Sequence, residues 1–264
     1  MKTTDDEIKV FLIARHESTL NNYYHFLTGY LTPIVDILLK NNNKNTTYIV
    51  RDCGLMNEWF LPLKKYYKIK ILNIEKFLFK SHDSQNKTIF NNFDNPELFK
   101  TNNMDILLNK IKNFYKVTNL KNKEKNIAIL SREFAIKNIS QFTQTSLKPR
   151  FIENIDELLI SINKLNNCNL IDTSTLNCQE VIDSYSKINF LIGQWGAGLT
   201  NMIWMPPEST IIEITAKEKM TQGPWKDCYK NLALMLGHNF ISIEAQETWS
   251  GPVDINKILE LIKN

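Results

Sequence analysis

The segment FLIGQWGAGLTNMIWMPPESTIIEI, residues 190–214, decides the fold of this chain. It begins with an apolar run that has the length and composition of a buried strand. Three small residues, Gly196, Ala197 and Gly198, then lead into a short apolar helix that two prolines end. A second apolar run follows at once. A strand, a tight turn, a short helix and a strand in this order predict one βαβ unit of a parallel sheet.

The same alternation extends over the rest of the chain, with a helix interrupted near Pro33 among its first elements. Residues 75–103 lose the periodicity and are rich in Asn, Asp, Ser and Lys, which indicates a loop or an insertion. Two α/β halves on either side of it predict two Rossmann-like domains that face one another across a cleft. We place the N-terminal domain at residues 1–115 and the C-terminal domain at residues 116–264. One arrangement consistent with this pattern has the C-terminal helix crossing back onto the N-terminal half.

Composition limits the possible functions. Of the 264 residues, 43% are hydrophobic and 23% are charged, as in an ordinary soluble globular protein. The net charge of +4 is spread along the chain, so a small anionic ligand is as compatible as nucleic acid. No apolar run has the ~18 to 20 residues that cross a bilayer, and the acidic start MKTTDDEIKV is unlike a secretory signal. We therefore expect a cytoplasmic protein without a transmembrane segment.

The four cysteines are scattered and give no C-x-x-C pair or zinc spacing with histidines. We expect reduced, packed thiols at Cys53, Cys168, Cys178 and Cys228.

The glycine turn has the chemistry of an anion site. Ligands of open parallel sheets bind beyond the carboxyl ends of the strands, where each strand turns into a helix. A glycine there can adopt positive φ and lets another group approach the backbone, while free N–H groups at the helix start attract a diphosphate. Thr200 and Asn201 add donors, and Glu213, at the expected end of the next strand, is placed to accept hydrogen bonds from ribose hydroxyls.

The string resembles the signature of glycosyltransferase family 61, in which a strand leads into H-G-A-G-L-T-N, a short apolar helix, P-P-G and a strand that ends in Glu. The matching residues are Gly196, Ala197, Gly198, Leu199, Thr200, Asn201, Met205, Pro206, Pro207, Ile211, Ile212, Glu213 and Ile214. Two positions depart from the pattern. Trp195 stands in place of the family histidine, and Glu208 in place of the glycine after the prolines.

Two further segments carry the resemblance, and the three lie in order over roughly residues 10–245. NNYYHFLTGYLTPI resembles the N-terminal pattern of the family, with matches at Asn22, His25, Leu31 and Pro33. The segment from ILSRE to NIDEL resembles the middle pattern, with matches at Ser131, Arg132, Arg150 and Asn154.

The resemblance implies a GT-B fold and an inverting transfer of a sugar from a nucleotide sugar, in the first place a UDP-sugar, to a hydroxyl of a glycan or protein acceptor. It implies no nucleic-acid partner. GT-B enzymes neutralise the leaving diphosphate with protein groups, and the chain has no clear D-x-D motif, so we expect no metal and no cofactor besides the donor. Arginine suits the diphosphate because its planar fork donates in pairs and keeps its charge.

His25 is the candidate general base, since an ordinary histidine pKa of ~6.5 suits proton transfer at neutral pH. A role as a diphosphate ligand stays open for it, and Glu17 and Asp36 are weaker candidates for the base. The predicted donor-binding residues are Arg132, Arg150, Trp195, Gly196, Ala197, Gly198, Leu199, Thr200, Asn201 and Glu213.

Two other functions remain open. A catalytically inactive nucleotide-sugar or glycan-binding protein of the same fold is favoured by Trp195. An unrelated α/β nucleotide-binding enzyme, such as a dehydrogenase, is disfavoured because the string lacks G-x-G-x-x-G and its acidic residue follows too soon.

Overall fold

A computed structural model describes residues 8–13, 22–41, 45–81, 87–90, 104–117, 124–131, 150–216, 227–246 and 250–263. The chain divides into two compact units, Met1–Lys116 and Val117–Asn264. Among the described residues, no helix is both long enough and apolar enough to cross a membrane.

The first unit contains a four-stranded parallel sheet. Its strands are β1 (Ile8–Ile13), β2 (Thr46–Arg51), β3 (Lys68–Leu72) and β4 (Lys87–Phe90), in the order β3-β2-β1-β4. A small apolar cluster packs one face, with Phe11 and Ile49 of the sheet against Phe77. This strand order is that of a Rossmann half, and it puts the topological switch point between β1 and β4.

The helices of the first unit are short. They are α1 (Tyr23–Phe26), α2 (Thr32–Lys40), α3 (Leu61–Lys64), α4 (Ile74–Ser81) and α5 (Met104–Phe114), with a π-helical segment over Leu27–Leu31 and a 3₁₀ helix over Gly54–Phe60. The predicted interruption near Pro33 is confirmed and takes the form of the π-helical segment. A proline lacks the N–H that continues an α-helix, and wider π spacing accommodates that defect.

The prediction of a loop or insertion over residues 75–103 is wrong for its first part. Most of α4 and all of β4 lie inside this segment, and β4 pairs with β1 as an edge strand. A strand of four residues between Asn-rich segments gives too short an apolar run to be recognised by periodicity.

The second unit contains a five-stranded parallel sheet and a two-stranded one. The larger consists of β5 (Asn126–Leu130), β7 (Asn167–Ile171), β8 (Phe190–Gln194), β9 (Thr210–Ala216) and β10 (Asn239–Gln246), in the order β10-β9-β8-β5-β7. The smaller pairs β6 (Phe151–Ile152) with β11 (Ser250–Gly251). Prediction of an α/β fold with parallel sheets is thereby confirmed.

The helices of the second unit cover both faces of the larger sheet. They are α6 (Ile155–Asn163), α7 (Cys178–Tyr185), α8 (Cys228–Met235) and α9 (Ile255–Lys263), with 3₁₀ helices over Thr173–Thr175 and Ala197–Trp204. One face forms an apolar core with α6 and α9, which includes Ile212, Ile214 and Ile258. The expectation that the C-terminal helix crosses back is wrong, because α9 buries Ile258 and Ile262 in the core of its own unit.

The strand order of the larger sheet locates a ligand site. Sequential strands run outward from β5 in both directions, first to β7 and then through β8 to β10. The order therefore reverses between β5 and β8, and ligands of doubly wound sheets bind at such a point, beyond the carboxyl ends of the strands. The turn after β8 lies at that end of the sheet.

Candidate functional site

The turn after β8 leaves three backbone donors available. Leu199 N–H is the first to bond back, to the carbonyl oxygen of Gly196 at 3.0 Å, as the 3₁₀ helix begins. The N–H groups of Gly196, Ala197 and Gly198 donate to none of the described residues. Successive free N–H groups at a helix start attract anions, so the turn has the donors that a diphosphate needs.

The glycines of this turn do not have a left-handed backbone, and Gly198 lies close to a neighbouring side chain. Gly196 has φ 160° and ψ 170°, an extended conformation, and Gly198 is outside the left-handed region as well. The conformational freedom that a glycine offers is therefore not used as positive φ at this turn. A Cβ on Gly198 would lie 3.2 Å from Leu130 Cδ1, and one on Gly193 only 2.5 Å from the same atom.

Gly193 is the glycine that sequence reasoning missed. It lies inside β8, and a glycine within an apolar strand is itself a signal of close approach. Leu130 ends β5 and occupies the space beside it, so the two central strands meet closely at the switch point.

The rest of the glycine string is buried. Leu199, Thr200 and Asn201 are at most 1% exposed, whereas Ala197 and Gly198 are partly exposed. Asn201 Nδ2 donates to the Gly198 carbonyl oxygen at 3.1 Å and so holds the turn in place. Contact of Thr200 and Asn201 with a ligand stays a prediction, and their burial gives them a supporting position under the turn.

Trp195, the departure from the family pattern, is held by Arg150. The Nη1 of Arg150 donates to the Trp195 carbonyl oxygen at 2.6 Å, and its Cζ lies 4.8 Å from the centre of the indole ring. Tyr229 of α8 meets the same indole edge to face, with ring centres 5.7 Å apart. Arg150 is a predicted donor-binding residue, and in the structure it is only 4% exposed, with its guanidinium against Trp195.

Glu213 lies in the middle of β9 and not at its end, because the strand continues to Ala216. The sheet register places it between Gly193 of β8 and Ser242 of β10. Ser242 Oγ donates to Glu213 Oε2 at 2.9 Å. Burial raises the pKa of Glu213 to about 7, against the weaker opposing effect of the Ser242 hydrogen bond. Burial therefore favours the protonated form of this carboxyl group.

The thiols close to this face are unreactive. All four cysteines are free, as expected, and Cys178 alone is partly exposed. Burial raises the pKa of Cys228 to about 12, with the nearby Glu213 carboxylate adding to the effect. Within the described residues, no three His, Cys, Asp or Glu side chains are grouped as for a metal ion.

In the first unit, His25 is partly exposed and lies in α1, after β1 along the chain. The side chain of Asn22 caps this helix by accepting from Tyr24 N–H at 3.0 Å. Thr28 Oγ1 donates to the Tyr24 carbonyl oxygen at 2.6 Å, and the π-helical segment follows directly. π-helical turns inside α-helices are frequent at functional sites. Asp36, by contrast, pairs with Lys40 at 2.6 Å on the surface of α2.

Several other predicted residues have clear positions. Ser131, directly after β5, donates its N–H to the Ile171 carbonyl oxygen. Arg132 and Glu17 lie outside the described residues. Asn154 bonds to Val253 through both ends of its amide, so its role is to tie α6 to the chain before α9. His238, which has no motif context in the sequence, is buried with its Nε2 3.0 Å from the Met202 carbonyl oxygen.

The second departure from the family pattern has a geometric cost. Glu208 has φ 61°, in the left-handed region that favours glycine. The family glycine after the prolines therefore meets a backbone requirement, and this chain keeps the conformation with a side chain that strains it.

Fold and turn together define the class: a doubly wound α/β protein with donors for an anion at the switch point of its second sheet. Residues 23–212 match the model of the family described as Glycosyltransferase 61. The chain belongs to glycosyltransferase family 61, and its activity in general terms is the transfer of a sugar from a donor to an acceptor. No curated protein matches it at a significant level.

Proposed function

We propose that this chain is an inverting glycosyltransferase of the GT-B type that moves a sugar from a UDP-sugar to a hydroxyl of a glycan or protein acceptor. In this proposal residues 1–115 form the acceptor-side domain and residues 116–264 bind the nucleotide sugar. The diphosphate lies against the turn after β8.

One observation carries the proposal: the N–H groups of Gly196, Ala197 and Gly198 are unused at the switch point of the second sheet. Backbone donors that point outward from a strand end are a recurrent diphosphate site in this architecture. Arg132 follows β5, the strand beside β8 at this point, and supplies the positive charge in our proposal.

The reaction needs little else from the protein. A base accepts the proton of the acceptor hydroxyl while its oxygen bonds to the anomeric carbon, and the bond from that carbon to the diphosphate oxygen breaks on the opposite side. The charge that develops on the leaving UDP is stabilised by the turn and by Arg132, so we propose that no metal ion is required. His25, partly exposed and on a capped helix, is the proposed base.

A catalytically inactive nucleotide-sugar binding protein is the second candidate, and a specific observation favours it. The indole of Trp195 stands where the family has a histidine, and it is fixed by Arg150 and Tyr229. A fixed indole fills space and offers one N–H where a histidine offers two nitrogens.

The experiment is a panel of UDP-, GDP-, CMP- and dTDP-sugars, with thermal shift for binding and with hydrolysis and transfer for turnover. We expect UDP-sugars to bind equally with and without chelator and to be turned over. A ligand at 100 times its dissociation constant should stabilise the fold by ~2.7 kcal/mol. Strict dependence on manganese would contradict the metal-free proposal. Binding without turnover in the wild type, with turnover gained in Trp195→His, would establish the second candidate.

Two variants assign the roles. His25→Ala should lose roughly 10²- to 10⁴-fold in rate with donor affinity unchanged, because a base acts on the acceptor. Arg132→Ala should lose donor affinity by ~2 to 3 kcal/mol while staying folded. If His25→Ala loses donor affinity together with rate, His25 is a diphosphate ligand instead.

A further inference from the structure

Two reciprocal hydrogen bonds join the start of β6 to the carboxyl end of β8. The Arg150 side chain donates to the Trp195 carbonyl oxygen at 2.6 Å, and the Gln194 side chain donates to the Phe151 carbonyl oxygen at 3.1 Å. Each bond runs from a side chain of one segment to the backbone of the other. Together they fix where β8 ends and where the turn begins.

The Trp195 ring is held as firmly as its backbone. The backbone N–H of Trp195 continues the sheet by donating to the Ile214 carbonyl oxygen at 2.9 Å. Arg150 lies over the indole ring, and the ring of Tyr229 packs against it with an angle of 74° between the two ring planes. Arg150 and Tyr229 are each 4% exposed, whereas Trp195 is partly exposed. A guanidinium over an indole is attracted by the negative face of the ring, so this arrangement restricts the indole.

The held residue comes directly before the three free N–H groups. Trp195 is bonded covalently to Gly196, and the Trp195 carbonyl and the Gly196 N–H belong to one planar peptide group, so the direction of the first of the three N–H groups follows from the orientation of that carbonyl. Arg150 fixes that carbonyl. Its planar group does so with a hydrogen bond and a stacking contact at once, which a lysine cannot reproduce.

We propose that Arg150 is a positioning residue of the donor site, which acts through Trp195 and does not itself bind the diphosphate. The inference rests on the proposed function, because it concerns how the turn after β8 is held for a nucleotide diphosphate. In this chain the pair of Arg150 and Trp195 sets the orientation of the free N–H groups, and donor affinity depends on both residues jointly.

A double-mutant cycle tests the proposal, with UDP as the probe. UDP dissociation constants are measured by calorimetry for the wild type, Arg150→Lys, Trp195→Leu and the double variant, with the unfolding midpoint of each. We expect Arg150→Lys to weaken UDP binding on the order of 10-fold in the wild-type background and by a clearly smaller factor in Trp195→Leu, which loses the stacking contact and keeps the carbonyl hydrogen bond. A direct phosphate ligand gives the same factor in both backgrounds, and that result would overturn the proposal.

Lys125→Gln is the matched control. Lys125 lies over the Phe190 ring at 5.6 Å, which makes it a second cation–π pair of this sheet, at the amino end of β8. Its loss should leave UDP affinity unchanged. An Arg150→Lys protein that unfolds more easily yet binds UDP as tightly as the wild type would make Arg150 merely structural, against the proposal.

Gln194→Leu provides a second test should the Arg150 variants fail to fold. It removes the other reciprocal hydrogen bond and leaves Arg150 in place. We expect UDP affinity to fall about 3-fold, and an unchanged affinity would overturn the proposal. A wild-type protein that binds no UDP is a different result, since it refutes the proposed function before any variant is compared and the present inference falls with it.

Discussion

The two faces of the five-stranded sheet are made of alternate residues of the same strands, yet they bury different chemistry. One face presents Ile212 and Ile214 to α6 and α9 in an entirely apolar cluster. The opposite face presents Gly193, Glu213 and the exposed Ser242 next to the buried Leu191 and Ile211, so a missing side chain and a hydrogen-bonded polar pair lie among its apolar residues. The apolar face stabilises the unit by burial alone, whereas the other face adds a hydrogen-bonded polar pair to its buried apolar residues.

The largest expected effect belongs to the apolar face. Ile258 of α9 is fully buried, so Ile258→Ala should lower the free energy of unfolding by ~4 kcal/mol through lost transfer energy and a cavity. UDP affinity of the folded fraction should stay the same. Urea denaturation and UDP titration measure the two quantities. Ile160→Ala, at a 58% exposed position of α6, is the control and should change stability by less than ~0.5 kcal/mol.

A fall in UDP affinity of folded Ile258→Ala would mean that the two faces are not separable, and the comparison would fail.

The next effect concerns Glu213 and pH. Its pKa in the folded protein, about 7, lies above the ordinary 4.5, so the unfolded chain loses this proton first as pH rises. The contribution of Glu213 to stability therefore falls between about pH 4.5 and pH 7 and is constant above. The free energy of unfolding should fall by ~3 kcal/mol over this pH range, and Glu213→Gln should not show this fall.

The measurement is the free energy of unfolding of both proteins at pH 5 and pH 8. The free energy of unfolding of Glu213→Gln should increase relative to that of the wild type as pH rises. Glu244→Gln, at an exposed position of β10, is the control. A constant difference between Glu213→Gln and the wild type at the two pH values would show that the carboxyl titrates normally.

A smaller effect is expected at Thr200. Its hydroxyl is buried and has no hydrogen-bond partner among the residues that the structure describes, so Thr200→Val should stabilise the free protein by ~1 kcal/mol. We expect UDP affinity to fall about 5-fold, because unsatisfied buried groups are retained where function uses them. Thr215→Val is the matched control, since Thr215 Oγ1 donates to Ile243 O at 3.2 Å and its loss should destabilise. A variant that gains stability and binds UDP normally would leave Thr200 without a role in the site.

The smallest effect is expected beyond the turn. Glu208 has φ 61°, and Glu208→Gly should relieve this strain. Because glycine loses more conformational entropy on folding, the net gain in the free energy of unfolding should be only ~0.5 kcal/mol. Glu208→Ala keeps a Cβ and should gain nothing. Equal stability of the two variants would mean that the backbone relaxes at this position without cost.

The parallel sheets and the turn after β8 could be predicted because apolar runs and small residues follow one another directly in the sequence. The short β4 could not, since four residues carry too little periodicity. The contact between Arg150 and Trp195 could not be predicted either. The two residues are 45 positions apart in the sequence, and no local pattern indicates that the guanidinium stacks on the indole. The protonation of Glu213 likewise depends on burial and on Ser242 of another strand, which only the register of β9 and β10 reveals.

Hydrogen–deuterium exchange of the wild-type protein with and without UDP, in the presence of chelator, tests the central claim most directly. The claim is that the free N–H groups of Gly196, Ala197 and Gly198 bind the diphosphate. The peptide that covers residues 195–201 should exchange more slowly with UDP, because each bound N–H is protected, while the peptide over α9 stays unchanged. UDP binding that leaves residues 195–201 exchanging as in the free protein would contradict the account.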